Sequence, residues 1–316
     1  MTARAAKGRR IDMWVRVLGS AAGGGFPQWN CACPPCRAVR DGSRPCRART
    51  QSSIAVSPDG RRWFLFNASP DVRAQIESFP ALHPTGGLGG GRAVPPQVVV
   101  LTDAELDHTL GLLLLRESGG GIELHATKAV HDTLYDGTSL LRTLVAYCPV
   151  TWHPVEPQAD VPLGNGLSYR AFDVPTTKRA RFGSGGGNGQ GRVVGYRLTD
   201  ERSGRALVYL PGVQEFTPRV HGQFADCACL LVDGTCWYDD ELIRLGRAGR
   251  TAREMGHLPI DGPGGSLEQL SPLPVERKIY IHINNTNPIL LEDSPQRRTL
   301  ERHGMEVAAD GLELRI

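Results

Sequence analysis

The sequence has no apolar run approaching the ~18 residues that a membrane-spanning helix needs, and no excess of either charge. With 36 basic against 33 acidic residues the net charge is +3, too balanced for a nucleic-acid surface or a membrane footing. The segment from Met1 to Arg10 has the positive end of a signal peptide, but Ile11 to Arg16 supplies no apolar stretch behind it. The expectation is a soluble, cytoplasmic protein with neither a nucleic-acid nor a membrane partner; a homodimer is left open. Internal repeats are missing, and so is any linker-like stretch. We therefore expect residues 1–12 to be a flexible N-terminus and 13–316 a single domain, which at 40% apolar content can bury a sizeable core. The phosphate-loop pattern Gly-x-x-x-x-Gly-Lys-Ser/Thr is absent from the Gly-rich stretch 183–191, which reads as a flexible loop, as do 86–91 and 119–121.

What is present is a series of short β-rich runs separated by turns. Strands are expected at 14–19, 53–57, 62–67, 98–102, 167–174, 193–199, 206–209, 227–232, 278–283 and 305–307. Helices are expected at 69–78, 110–117, 128–135, 139–145, 266–270 and 294–303, the last opened by Ser294-Pro295. In each half many strands come first and helices follow, which suggests a sandwich of sheets with helices packed outside.

Two clusters carry chemistry. In Asn30-Cys31-Ala-Cys33-Pro-Pro-Cys36, a loop stiffened by Pro34 and Pro35, three thiols fall within six residues. Three thiolates so close need a soft cation, and structural zinc is the expected occupant. Its fourth ligand is open between Cys46, Asn285 and another residue near His282. Cys148, Cys227, Cys229 and Cys236 lack paired spacing and read as small core residues. The second cluster follows Val98-Val99-Val100-Leu101-Thr102, a strand running into Asp103-Ala-Glu105-Leu-Asp107-His108. It sets a carboxylate beside an imidazole at a strand's carboxyl end, where α/β proteins place ligand sites. Lys278 to Pro288, with His282 and Asn285, and Glu254 to Pro259, with His257, have the same look, as does the strand stopped by Pro211-Gly212. A lone histidine in any of them is more often a hydrogen-bonded structural residue than a functional one.

Together these segments resemble the metallo-β-lactamase superfamily over nearly the whole chain from about Met13, which implies an α+β fold, an αββα sandwich. In that superfamily a strand ends in H-x-H-x-D-H, and later strands add a His, a bridging Asp and a final His to complete a two-metal hydrolytic centre. Here Asp103 and Glu105 replace the first two histidines, Val174-Pro175-Thr176 stands where the middle His falls, and Pro211-Gly212 where the bridging Asp is expected. One metal position is thus dismantled, and Asp107, His108 and His282 remain as a ligand set of two imidazoles and a carboxylate. Such a set is associated with non-haem Fe(II) and oxygen chemistry, although other divalent ions occupy it too.

With Cys31-x-Cys33-x-x-Cys36 in front, Met255-Gly-His-Leu-Pro259 and Ile281-His-Ile-Asn-Asn-Thr-Asn-Pro288, the chain closely resembles the coenzyme PQQ synthesis protein B family. That resemblance implies an enzyme of pyrroloquinoline quinone (PQQ) biosynthesis that uses iron and O2 to hydroxylate the tyrosine ring of a cross-linked Glu-Tyr diamino acid. Its partners are then a small-molecule PQQ precursor and O2. His257 is the candidate acid or base, with a structural turn histidine as its alternative. Asp103 and Glu105 either bind substrate amino groups or hold the tautomers of the ligands. Arg179, with Lys178 and Arg181, either pairs substrate carboxylates or belongs to a solvated basic loop. Two other functions stay open: a single-metal phosphodiester or ester hydrolase, against which the lost metal position counts, and a carrier of PQQ or an intermediate without turnover.

Overall fold

Runs such as Val98-Val99-Val100 and Ile279-Tyr-Ile281 are apolar at consecutive positions because their strands are covered on both faces. In the computed structural model, which describes residues 12–84, 98–178, 180, 182 and 189–316, these runs belong to two seven-stranded mixed sheets. The strands are β1 (Trp14–Gly19), β2 (Ser53–Ser57), β3 (Phe64–Phe66), β4 (Val98–Val100), β5 (Ile122–Ala126), β6 (Val150–Pro154) and β7 (Asp160–Gly164). They continue with β8 (Leu167–Asp173), β9 (Val194–Asp200), β10 (Ala206–Leu210), β11 (Cys229–Asp233), β12 (Arg277–Ile281), β13 (Met305–Val307) and β14 (Glu313–Arg315). One sheet has the order β14-β1-β2-β3-β4-β5-β6 and the other β13-β12-β11-β10-β9-β8-β7. Each is antiparallel at one end and parallel at the other, the parallel pairs running β3-β4-β5-β6 and β10-β11-β12-β13.

Side-chain alternation distributes the core over three layers. Val98, Val100, Ile279 and Ile281 face the space between the sheets with Phe66, Tyr169 and Tyr196. Val99 and Leu124 face one outer layer of helices, and Tyr280 and Val232 face the other. This is the expected αββα sandwich. Among the described residues no helix is long and apolar enough to cross a membrane.

Four strands escape the sequence pattern. β5, β6 and β7 are interrupted by Glu123, His125, His153 or Pro162, and β14 is only three residues long; Pro162 is tolerated because β7 is an edge strand. Two local expectations need correction. The cysteine segment is not all loop: a helix spans Pro34–Asp41, with prolines in its first turn, where no backbone N–H is needed, and Gly42 ends it at φ 68°. The helix expected from residue 110 begins instead at Leu106–Thr109, followed by a 3-10 segment Leu110–Leu115, so Asp107 and His108 sit in a helical turn. The N-terminal stretch 1–11, the Gly-rich stretch 86–91, and most of 183–191 lie outside the described residues.

Candidate metal centre

β4, β11 and β12 end on one side of the sandwich, and the chain beyond each end carries polar side chains into a shared cavity of about 530 Å³. After β4, Thr102 is fastened by Asn67, whose amide oxygen accepts from the Thr102 N–H at 3.0 Å. Both Asp103 oxygens then lie on His108 Nδ1, at 2.9 and 2.8 Å. An anionic carboxylate only accepts, so Nδ1 carries the proton and Nε2 faces Asp107, 3.8 Å from its Oδ2. Gly23 lies close beside it, where a Cβ would come to 3.2 Å from Asp107 Oδ2 and press on that carboxylate.

Beyond β12, His282 holds a left-handed backbone at φ 58°, uncommon for a residue with a Cβ and a mark of functional constraint. Its Nε2 lies 3.3 Å from Asp107 Oδ2, and its Nδ1 lies 2.9 Å from the Thr235 hydroxyl. That hydroxyl has one proton and sits 2.6 Å from Asp233 Oδ1. It donates to Asp233 and accepts from His282, which leaves His282 Nε2 with its lone pair toward Asp107. Two imidazoles and a carboxylate therefore converge, with ligand atoms all within 4.8 Å of one another.

The charges at this point call for a cation. Burial opposes a charge on His108, but Asp103 and Asp107 outweigh it and hold its pKa at about 9. Burial likewise opposes ionisation of Asp107, yet His108 and His282 hold its carboxyl well below the usual carboxylate range. His108 Nε2 is buried with no hydrogen-bond partner. A divalent ion bound by Asp107, His108 and His282 satisfies that orphaned atom, so the residues present fit a metal.

A second constellation adjoins the first. Asp233, at the end of β11, accepts from His257 Nδ1 at 2.7 Å and from the N–H groups of Val213 and Thr235. The His257 ring stacks on His282 with centroids 5.3 Å apart, and its Nε2 has no protein partner among the described residues. Asp233, His257 and His282 also offer ligand atoms within 4.8 Å of one another. The Asp of this group stands at the end of β11, one strand beyond Pro211-Gly212.

Around the cavity, Glu105 is paired with Lys178 at 2.8 Å, and Asp103 is committed to His108. Of the two roles open to these carboxylates, the geometry gives Asp103 the holding of a tautomer and leaves neither carboxylate free of a protein partner. Arg179 and Arg181 lie outside the described residues, whereas Lys178, Arg192 and Arg250 line the cavity. On the far side of the His282 loop, the Cys31, Cys33 and Cys36 sulfurs gather within 4.8 Å. Asn285 packs on them, its amide nitrogen 3.6 Å from Cys33 Sγ and 3.3 Å from Cys36 Sγ. Cys46 lies apart from the group, bonded to the Arg44 carbonyl. Burial pushes the Cys33 thiol up to about 12, so a bound cation is what would favour the thiolate.

Residues 62–283 match the model of the β-lactamase superfamily domain. The coenzyme PQQ synthesis protein B of Methylococcus capsulatus is 47% identical over 305 residues, 96% of this chain and 99% of that one. The protein of the same name from an Azoarcus species is 48% identical over 307 residues, 96% of this chain and 100% of its own. The chain belongs to the coenzyme PQQ synthesis protein B family.

The crystal structure of Zn(2+)-bound PqqB from Methylobacterium extorquens, 39% identical, superposes with a TM-score of 0.85 over 95% of this chain and 99% of that one. A diphosphatase of the PhnP family shares the fold at 20% identity and a TM-score of 0.65, over 96% of this chain and 97% of its own. Within this sequence, reading by motif missed Asn67, Thr102, Asp233 and Thr235. One signal was present: Leu230-Leu-Val-Asp233-Gly234 is itself an apolar strand ending in an Asp-Gly step.

Proposed function

We propose that this protein is a cytoplasmic enzyme of PQQ synthesis that hydroxylates the tyrosine ring of a cross-linked Glu-Tyr diamino acid, using iron and O2. The observation that carries the reading is the pair of imidazole Nε2 atoms turned on Asp107, each fixed from behind, His108 by Asp103 and His282 by Thr235. Asp107, His108 and His282 would hold iron(II), which when bound would supply the activation of O2. The protein does the rest. Lys178, Arg192 and Arg250 attract the carboxylates of an amino-acid-derived substrate into the cavity, with Arg179 a further candidate from its place in the sequence. His257, with Nδ1–H donated to Asp233, keeps Nε2 free to take a phenolic or ring proton, and the Asp233 carboxylate favours the imidazolium that results.

The test is oxygen uptake by anaerobically purified, iron-loaded protein given the diamino acid and a two-electron reductant, which takes the second oxygen atom of O2 to water, with mass spectrometry of the product. Uptake matched by gain of one oxygen atom is the expected result; no uptake together with turnover of a phosphodiester overturns it. That second outcome belongs to a two-metal hydrolase, a reading favoured by the ligand group Asp233, His257 and His282. Metal content of the active protein separates the two, since the oxygenase needs one ion in this cavity and the hydrolase a pair.

A further inference from the structure

A different cluster lies at the edge of the sandwich, sharing no residue with the centre above. In β5, Ile122, Leu124 and Ala126 face the outer helices, so Glu123 and His125 face the opposite way. β6 runs parallel beside it as the last strand of its sheet, with His153 in register with His125. The two imidazoles stack with centroids 4.7 Å apart, and His153 Nε2 is 3.8 Å from Glu123 Oε2. His153 Nε2 is buried yet has no hydrogen-bond partner. His125 is held from the other sheet, its Nδ1 2.8 Å from the Tyr169 hydroxyl, which leaves Nε2 as its coordinating atom. The ligand atoms of Glu123, His125 and His153 lie within 4.8 Å of one another.

We propose that Glu123, His125 and His153 form a separate site for a borderline divalent transition ion such as zinc, with Tyr169 as the residue that positions His125. Two imidazoles and a carboxylate suit zinc, nickel or copper better than magnesium or calcium. The site ties the edge strand β6 to β5, so its ion is structural: it strengthens a sheet edge whose outer backbone groups pair with no strand of this sheet.

Zinc added by equilibrium dialysis to protein whose cysteine and Asp107 sites are already filled tests the proposal. Wild type should take up one further ion per chain and melt at a higher temperature with it. His153→Ala should lose that ion, and Tyr169→Phe should weaken it about tenfold through loss of ring orientation. Glu123 is exposed, so Glu123→Gln keeps the measurement available if His153→Ala does not fold. Loss of the further ion from either ligand variant, with an unchanged circular dichroism spectrum, supports the site. Its retention in both, or wild type that binds no further ion, overturns it.

Discussion

At His108 and His282 a single proton position decides what each ring can do. Both are held at Nδ1 by an acceptor, Asp103 in one case and the Thr235 oxygen in the other, so both present Nε2. Removing a ligand and removing a holder should therefore differ. His108→Ala or His282→Ala should abolish metal at this centre together with oxygen uptake. Asp103→Ala should keep the metal but weaken it by roughly 10- to 100-fold, the usual scale for loss of a ligand's partner. Competition with a chromogenic chelator measures both, and equal metal loss in all three variants counts against the assignment. His257 makes the complementary case. If it moves protons and binds no metal, His257→Ala should retain full metal content and slow turnover by roughly 100-fold or more. Loss of an ion in that variant would make it a ligand of the Asp233 group.

Among the elements, the helix Pro34–Asp41 and the loop following β12 depend on each other. Cys33 and Cys36 meet Asn285, 252 and 249 residues away, and Ala21 bridges to Ile283. Zinc at the three thiols would therefore hold the N-terminal helix against the segment that carries His282. Cys33→Ser should lower zinc content and the melting temperature before it alters the active-site metal, as followed by metal analysis and calorimetry on the same preparation. The spacing Cys-x-Cys-x-x-Cys was legible in the sequence, since three thiols within six residues suit little else. The helix was not, because Pro34-Pro35 reads as a stiff turn until the chain after it is seen to be helical.

For the molecule as a whole, stability should depend on the buried Glu241. Its carboxylate accepts from the Thr286 hydroxyl and the Trp237 N–H, but burial outweighs those bonds and raises its pKa from an ordinary 4.5 to about 7. A carboxyl whose pKa is higher in the folded state stabilises the fold at low pH, and that contribution is lost as pH rises from 4.5 through 7. The whole window is worth about 3 kcal/mol from the size of the shift. Urea unfolding at pH 5 and pH 7.5 should show wild type losing more stability, or gaining less, over this interval than Glu241→Gln. Equal slopes in the two proteins would place the titrating group elsewhere.

The sequence by itself determined what is decided within a few residues: apolar strands doubly covered, a carboxylate and imidazole closing Val98 to His108, three thiols together, helix starts at Ser266 and Ser294-Pro295. These follow from alternation, capping and the chemistry of adjacent groups. Only the tertiary structure decided that His282 meets Asp107 across 175 residues, and that Asp233 and Thr235 stand behind the two later histidines. Parallel pairing of β10, β11 and β12 brings those strand ends to one side, and no local pattern encodes which strands become neighbours. The proton positions follow last, because a ring nitrogen's role depends on an acceptor supplied by a different turn or strand end.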